Sequence, residues 1–287
     1  MIRSIIILAI VIVLFNCIGC SKPGGEKPDN AVSIAVSVFP IYDIARNICG
    51  DSASAFYVIP AGADPHTFEP LPSVARQLEK ASIFIGISRE FDGWMEHYLP
   101  KNAAREYLIG KMESVQGDNN PHLWLSLRKS KKIAAVVTRQ LCSIDPTHSN
   151  LYEANHATYE RKLDELDRSI NTLFLNTKSK SFIQWHEAWN YFAADYGLTI
   201  AGTVQREGSD KASVRSIKDI VERAKRDHVR AVVVSLNAED RTAIVLADEI
   251  GGLIIRLDGI GDPGSVDRFD YLHLMHYNAK TLSEGLR

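Results

Sequence analysis

Short runs of consecutive apolar residues recur along this chain, and helical patterns lie between them. The runs of strand length are residues 32–38, 55–59, 82–87, 181–184, 198–201, 231–236 and 253–257. Several are unbroken stretches of Val, Ile and Leu, which is typical of parallel strands buried on both faces. Helices are predicted at 41–49, 73–80, 128–142, 187–196, 214–227, 238–250 and 271–286. This alternation predicts an α/β fold with mostly parallel sheets flanked by helices.

One segment near the middle of the chain, from about Ser149 to Asn176, contains no Gly or Pro. Its apolar residues recur at steps of three, four and eight; they are Leu151, Tyr159, Leu163, Leu166, Ile170 and Leu173. The pattern predicts one amphipathic helix, roughly 40 Å long at 1.5 Å per residue. We interpret residues 148–178 as a rigid helix that joins an N-terminal α/β lobe (31–147) to a C-terminal one (179–287). A long helix packed within a single domain is the alternative.

The first 30 residues have a different character from the rest. A positive start is followed by the apolar run 5–15, which is shorter than the roughly 20 residues of a membrane span and fits a secretory signal. Because Gly19 precedes Cys20, residues 1–20 are predicted to be a lipoprotein signal peptide whose Cys20 receives the lipid. Residues 21–30, rich in Pro, Gly and charge, are predicted to form a flexible tether. An uncleaved anchor or a simple secretory signal is the alternative, and each places the protein outside the cytoplasm.

Composition argues against a nucleic-acid partner and does not decide whether the chain contains a disulfide. Hydrophobic residues make up 45%, charged residues 24%, and the formal net charge is −2, so we predict no nucleic-acid partner, which would require a basic face. If Cys17 leaves with the signal and Cys20 carries lipid, Cys49 and Cys142 remain. An oxidising compartment permits a disulfide between them, but two buried thiols would give the same sequence.

Three of the nine histidines, and one aspartate, stand at similar positions in the predicted fold. His66 lies in a Gly- and Pro-rich loop after a predicted strand, and His122 follows a proline that restricts its backbone. His186 follows another strand and opens the predicted helix after it, and Asp258 directly follows the run 253–257. Since ligands bind at the carboxyl ends of strands in open α/β sheets, these side chains are candidates for a shared metal site.

Motifs around these residues resemble those of the solute-binding proteins of bacterial zinc and manganese ABC importers. The matching stretches are VFPIYD (38–43), GADPHTFEP (62–70), NPHLW (120–124), HEAWNYF (186–192), YGL (196–198), LDGIG (257–261), YLHLMHYN (271–278) and LSEGL (282–286). They cover nearly all of the chain after the signal, in the order of the family. The resemblance implies two α/β lobes, each with a mostly parallel sheet, joined by one long helix, and a metal held in the cleft between them.

The resemblance also implies the ligands and the role of the protein. The four metal ligands of the family fall on His66, His122, His186 and Asp258. Zinc-binding relatives carry His at the third position and manganese-binding relatives tend to carry Glu, so zinc is favoured over manganese, as imidazole chemistry also suggests. The resemblance thus implies that the protein is a monomeric, membrane-anchored lipoprotein in the periplasm or on the cell surface. Its implied function is to capture Zn²⁺ and deliver it to an ABC permease.

Three other functions are compatible with some of these features. A manganese-binding component of the same importer class and a lipid-anchored surface adhesin are alternatives. A zinc hydrolase is disfavoured, because Asn190 stands where the H-E-x-x-H motif beginning at His186 requires its second histidine. Four protein ligands would also leave no open position for water, so no enzyme activity is predicted. Ser126 replaces an acid that is usual in the family, so the support of the His122 ring is expected to differ.

Overall fold

Two separate parallel sheets of four strands form the framework of the described residues. The computed structural model describes residues 32–111, 120–206, 212–238 and 241–287. The predicted signal peptide (1–20), with Cys20, and the tether (21–30) lie outside these ranges. The first sheet has the order β2-β1-β3-β4 and the second the order β6-β5-β7-β8, and every strand pair is parallel. The strands are β1 (Ser33–Val36), β2 (Ser54–Tyr57), β3 (Ile83–Gly86), β4 (Ala104–Tyr107), β5 (Ser181–His186), β6 (Thr199–Gln205), β7 (Ala231–Ser235) and β8 (Leu253–Leu257).

The central strands are buried on both faces, as their composition predicts. Ile34, Ala35 and Val36 of β1 have no exposed surface, and β7 is buried from Ala231 to Val234. Strand β4 was not predicted, because its residues Ala104-Arg-Glu-Tyr107 include two charged side chains instead of an apolar run. This strand lies at the edge of its sheet, where fewer side chains need to be apolar.

Helices connect the strands. They are α1 (Phe39–Cys49), α2 (Pro72–Leu78), α3 (Arg89–Asp92), α4 (Leu127–Ile144), α5 (Ser149–Leu175), α6 (Asn190–Asp195), α7 (Val214–Arg226), α8 (Arg241–Glu249) and α9 (Tyr271–Gly285). Short 3-10 turns cover Gly93–Tyr98, Ile109–Lys111, Leu123–Leu125 and Pro146–His148. Side-chain oxygens of Ser126, Ser213 and Asp270 cap α4, α7 and α9 by accepting bonds from backbone N–H groups, which satisfies donors that have no partner within the helix. None of the described helices is long and apolar enough to span a membrane.

The long helix α5 spans 27 residues and packs against elements of both halves of the chain. Near its start, the Asn155 side chain donates to the carbonyl of Ile48 in α1 at 3.0 Å. Near its end, Phe174 contacts the rings of Phe192 and Tyr196, with centroids 5.8 and 5.7 Å apart. Two parallel sheets with flanking helices and one long helix confirm the predicted fold class.

The hydrophobic core does not stop at the predicted lobe boundaries. One cluster of buried residues includes β1 and β3 of the first sheet, α5, and parts of β7, β8 and α9. A smaller cluster lies on the other face of the second sheet, under α7 and α8. Residues Val32–Arg287 form one compact unit by their contacts, so the boundaries at 147 and 178 remain predictions.

Buried polar contacts of Tyr271, the first residue of α9, join the two halves close to the strand ends. Its backbone N–H donates to the buried carboxylate of Asp43 in α1 at 3.1 Å. Its hydroxyl lies 2.6 Å from the carbonyl of Trp124 and 2.7 Å from the hydroxyl of Ser130. These bonds hold the segment that carries His122 against the second half of the chain.

The two remaining cysteines lie on neighbouring helices. Cys49 is buried at the end of α1, and the thiol of Cys142 in α4 donates to the carbonyl of Ser149 at 3.8 Å. No disulfide joins these two residues in the structure. The bond would need an oxidant, and it stays a prediction.

Candidate metal centre

The four candidate ligands lie at or beyond the carboxyl ends of strands. His66 lies in the loop after β2, and His122 follows β4. His186 is the last residue of β5, and Asp258 comes directly after β8. All four line one cavity of about 1150 Å³.

The His66 loop is a series of turns that its Gly, Asp and Pro residues favour. Gly62 has a φ of +81°, a backbone conformation that glycine adopts without strain. The carboxylate of Asp64 accepts a hydrogen bond from the backbone N–H of His66 at 2.9 Å. The ring of Phe91 packs edge-on against the His66 ring, with the two ring centroids 5.3 Å apart. The exposed imidazole is thus oriented from its backbone and from one side.

His122 is the most buried of the candidate ligands, with 5% of its surface exposed. The side-chain oxygen of Asn120 accepts from its backbone N–H at 2.9 Å and lies 2.8 Å from its ring Nδ1. A hydrogen bond from Nδ1–H to this oxygen leaves Nε2 as the nitrogen with a lone pair. Burial, and then the nearby His186 and His66, lower the pKa of His122 well below its ordinary value. The ring is therefore neutral near pH 7, the state that binds a metal ion.

His186 belongs to a strand and not to the start of a helix, which corrects the sequence analysis. It pairs with Gln205 of β6 at the end of the β5 ladder, and the backbone N–H of Glu187 donates to the Gln205 carbonyl at 3.0 Å. A tight turn follows, and α6 begins only at Asn190. The ladder extends to His186 because residues on β6 offer it a backbone partner that the local pattern does not reveal.

The three imidazoles converge on one point. Nε2 of His122 lies 3.4 Å from Nε2 of His66 and 3.3 Å from Nε2 of His186. The centroids of the His66 and His186 rings are 5.0 Å apart. Nitrogens bound tetrahedrally to Zn²⁺ at 2.0–2.1 Å are separated by about 3.3–3.4 Å. The trio, His66, His122 and His186, thus has the spacing of ligands to a single divalent cation.

Asp258 lines the same cavity but is outside this trio. Its Oδ1 accepts hydrogen bonds from the backbone N–H groups of Ile260 and Gly261, both at 2.9 Å. Its Oδ2 accepts from Nε of Arg268 at 2.9 Å. The buried amide of Asn278 fixes its backbone through bonds of 2.8 and 2.6 Å. Its role as fourth ligand stays a prediction.

Most residues that hold the candidate ligands in place were not predicted from the sequence. Asn120, known there only as part of a motif, holds the His122 ring, and its amide also donates to the carbonyl of Glu187 at 2.8 Å. It thereby links the loop of His122 to the residue after His186. Ser126 caps α4, and its hydroxyl donates to the carboxylate of Asp195 at 2.6 Å. Nothing local in the sequence marked Arg268 as a partner of Asp258.

Asp92, at the end of α3, is a buried carboxylate near the His66 pocket. It accepts hydrogen bonds from the hydroxyl of Ser37 and from the backbone N–H groups of Ile87 and Ser88. Burial, opposed by these bonds, raises the pKa of Asp92 to about 7. The carboxyl group holds the turn that carries Phe91 against His66.

This shift predicts how stability depends on pH. Between about pH 4 and pH 7 the folded chain keeps a proton on Asp92 that the unfolded chain releases, so its contribution to stability falls as pH rises. The full change is on the order of 4 kcal/mol. Asp92→Asn keeps an acceptor for the two backbone donors and should flatten this slope in urea unfolding of metal-free protein. The exposed Asp248→Asn serves as control, and identical slopes for Asp92→Asn and the unmodified chain would contradict the assignment.

Comparison with known proteins identifies the family. The family model described as zinc-uptake complex component A, periplasmic (ZnuA), matches residues 34–285. The chain belongs to the ZnuA family. Because this is a family of solute-binding transport proteins, the prediction that the chain is a metal-binding importer component and not an enzyme is confirmed.

Individual members of the ZnuA family differ in the metal that their names give. The chain is 29% identical to the manganese ABC transporter substrate-binding lipoprotein PsaA of Streptococcus mitis, over 96% of this chain and 95% of that protein. It is 25% identical to the high-affinity zinc uptake system protein ZnuA of Bacillus subtilis, over 93% and 91%. A crystal structure of a zinc-bound ZnuA carrying a deletion of residues 138–173 is 26% identical, with a TM-score of 0.77 over 90% of this chain and 98% of that one. Family membership therefore implies a divalent metal without choosing between zinc and manganese.

Proposed function

We propose that this protein captures Zn²⁺ in the cavity between its two sheets and delivers it to the permease of an ABC importer. The observation that carries the proposal is the trio of converging imidazoles, whose Nε2 atoms lie 3.3 and 3.4 Å apart about His122. Nitrogen ligands suit zinc, whereas Mn²⁺ favours oxygen ligands. In this proposal Asp258 completes the set as the fourth ligand.

The proposal also includes the two-lobed organisation of the chain and its anchoring at a membrane. Residues 31–147 and 179–287 form the two lobes, and the segment 148–178 is the helix that joins them. Cys20 carries the lipid that anchors the protein on the outer side of a membrane, in the periplasm or on the cell surface. Relatives that are named lipoproteins support this anchoring.

A manganese importer component is the second candidate, because relatives with comparable identity are named for manganese. A zinc site favours a nitrogen ligand at the position of His186, whereas a manganese site favours an oxygen ligand there. With zinc as cargo, the purified chain binds one Zn²⁺, and metal-bound protein melts at a higher temperature because binding stabilises only the folded state.

Exchange of one ligand tests the preference for zinc. We expect His186→Glu to move the relative affinity toward Mn²⁺ by about 10-fold or more, because it replaces a nitrogen ligand with oxygen. Competition titrations of both metals against a chelator measure the ratio. His276→Glu, the same exchange at an exposed site on α9, should leave the ratio unchanged. A chain that prefers Mn²⁺ before any substitution would contradict the zinc assignment.

A further inference from the structure

The side chain of Asp258 already has partners on both of its oxygens. Oδ1 accepts from two backbone N–H groups, and Oδ2 accepts from Nε of Arg268. A carboxylate offers about four acceptor positions, and the backbone bonds on Oδ1 occupy two of these. A metal ion that binds Asp258 must therefore approach mainly through Oδ2, the oxygen that Arg268 holds.

Arg268 is itself held firmly in this place. Its Nη1 lies 2.7 Å from Oδ1 of Asp267, and its guanidinium lies 4.9 Å from the centre of the Tyr277 ring. Its backbone carbonyl accepts from the N–H of Asp262 at 3.2 Å. The side chains of Arg268 and Asp258 are only 17% and 15% exposed, so water screens their ion pair less than it would at an open surface.

The position of this guanidinium matters for the cargo. Arg268 and Asp258 line the same cavity as the three histidines. A divalent cation at Oδ2 would share that oxygen with the guanidinium of Arg268, whose Nε lies 2.9 Å from it, and two positive charges bound to one oxygen repel each other. The carboxylate can bind the metal at full strength only when the bond to Arg268 lengthens or breaks.

We propose that Arg268 determines the affinity and metal preference of the site by competing with the metal for Asp258. The inference rests on the proposed role of Asp258 as fourth ligand. The three imidazoles bind the cation first, and Asp258 joins them by exchanging its Arg268 partner for the metal. The competition weakens the only oxygen ligand of the set, which disfavours Mn²⁺ more than Zn²⁺ and shortens the time that the metal stays bound.

Removal of the guanidinium tests the proposal. We expect Arg268→Gln to raise the affinity for Mn²⁺ by about 10-fold, the scale of changes in the partners of metal ligands, and to raise that for Zn²⁺ less. Release of either metal to excess chelator in stopped-flow should slow. Arg268→Lys, which keeps the charge, should resemble the unmodified chain. Arg226→Gln removes an exposed arginine paired with a neighbouring aspartate and controls for net charge.

A double-mutant cycle distinguishes the two hypotheses that are involved. Asp258→Asn alone tests the ligand: unchanged affinity for both metals would overturn the role of Asp258 in the proposed function, and the inference with it. If Asp258→Asn weakens binding, Arg268→Gln should have no further effect in that background, since its action passes through Asp258. An equal gain in both backgrounds, or a loss of affinity in Arg268→Gln with folding intact by urea unfolding, would overturn the competition.

Discussion

Replacement of His122 by alanine should abolish high-affinity metal binding. His122 is the central member of the trio, with its Nε2 within 3.4 Å of both other Nε2 atoms. Its removal leaves only two imidazole ligands, one from each half of the chain. We expect the affinity for Zn²⁺ to fall by more than about 100-fold, the upper end of what loss of a mere supporting partner costs. Competition with a chromogenic chelator measures this loss.

The same substitution also affects folding, and the two effects must be separated. His122 is buried and hydrogen-bonded to Asn120, so the metal-free variant should lose about 1–3 kcal/mol of unfolding free energy. Zinc at 1,000 times its Kd should stabilise the unmodified chain by about 4 kcal/mol, and this gain should vanish in the variant. His97→Ala, at an exposed position, should keep it. A variant that is folded and still stabilised by zinc would show that His122 is not a ligand.

Asn120→Ala should weaken metal binding although Asn120 is not itself a predicted ligand. The substitution removes the acceptor at 2.8 Å that fixes the tautomer and direction of the His122 ring. It also removes the bond to the carbonyl of Glu187, beside His186. Loss of such a partner lowers metal affinity by about 10- to 100-fold. Isothermal titration with Zn²⁺ measures the change.

Two further variants identify which contact of Asn120 matters. Asn120→Asp keeps an acceptor for the His122 ring but cannot donate to Glu187. If ring orientation dominates, this variant should retain most of the affinity that Asn120→Ala loses. Asn171→Ala removes a side-chain hydrogen bond within α5, from the Asn171 amide to the carbonyl of Asp167, and should not alter metal binding. Equal losses in the Ala and Asp variants would instead assign the effect to the link with Glu187.

The strand-end placement of the candidate ligands could be predicted because it follows from local patterns. Unbroken Val and Ile runs mark buried parallel strands, and polar residues after such runs lie at the edge where ligands bind. His66 and Asp258 were placed in this way. The edge strand β4 was missed, since its two adjacent charged residues interrupt any apolar run and carry no comparable local signal.

The sequence by itself therefore determined the α/β class, the long helix α5 and the candidate ligands, because these depend on the order and spacing of nearby residues. Only the tertiary structure decided which contacts those residues make. The bond from Asn120 to Glu187 joins positions 67 residues apart, and the place of His186 within β5 depends on its pairing with β6. The Arg268 bond to Asp258 depends on the course of the loop between them. Such contacts arise from packing among distant segments, and local periodicity carries no information about them.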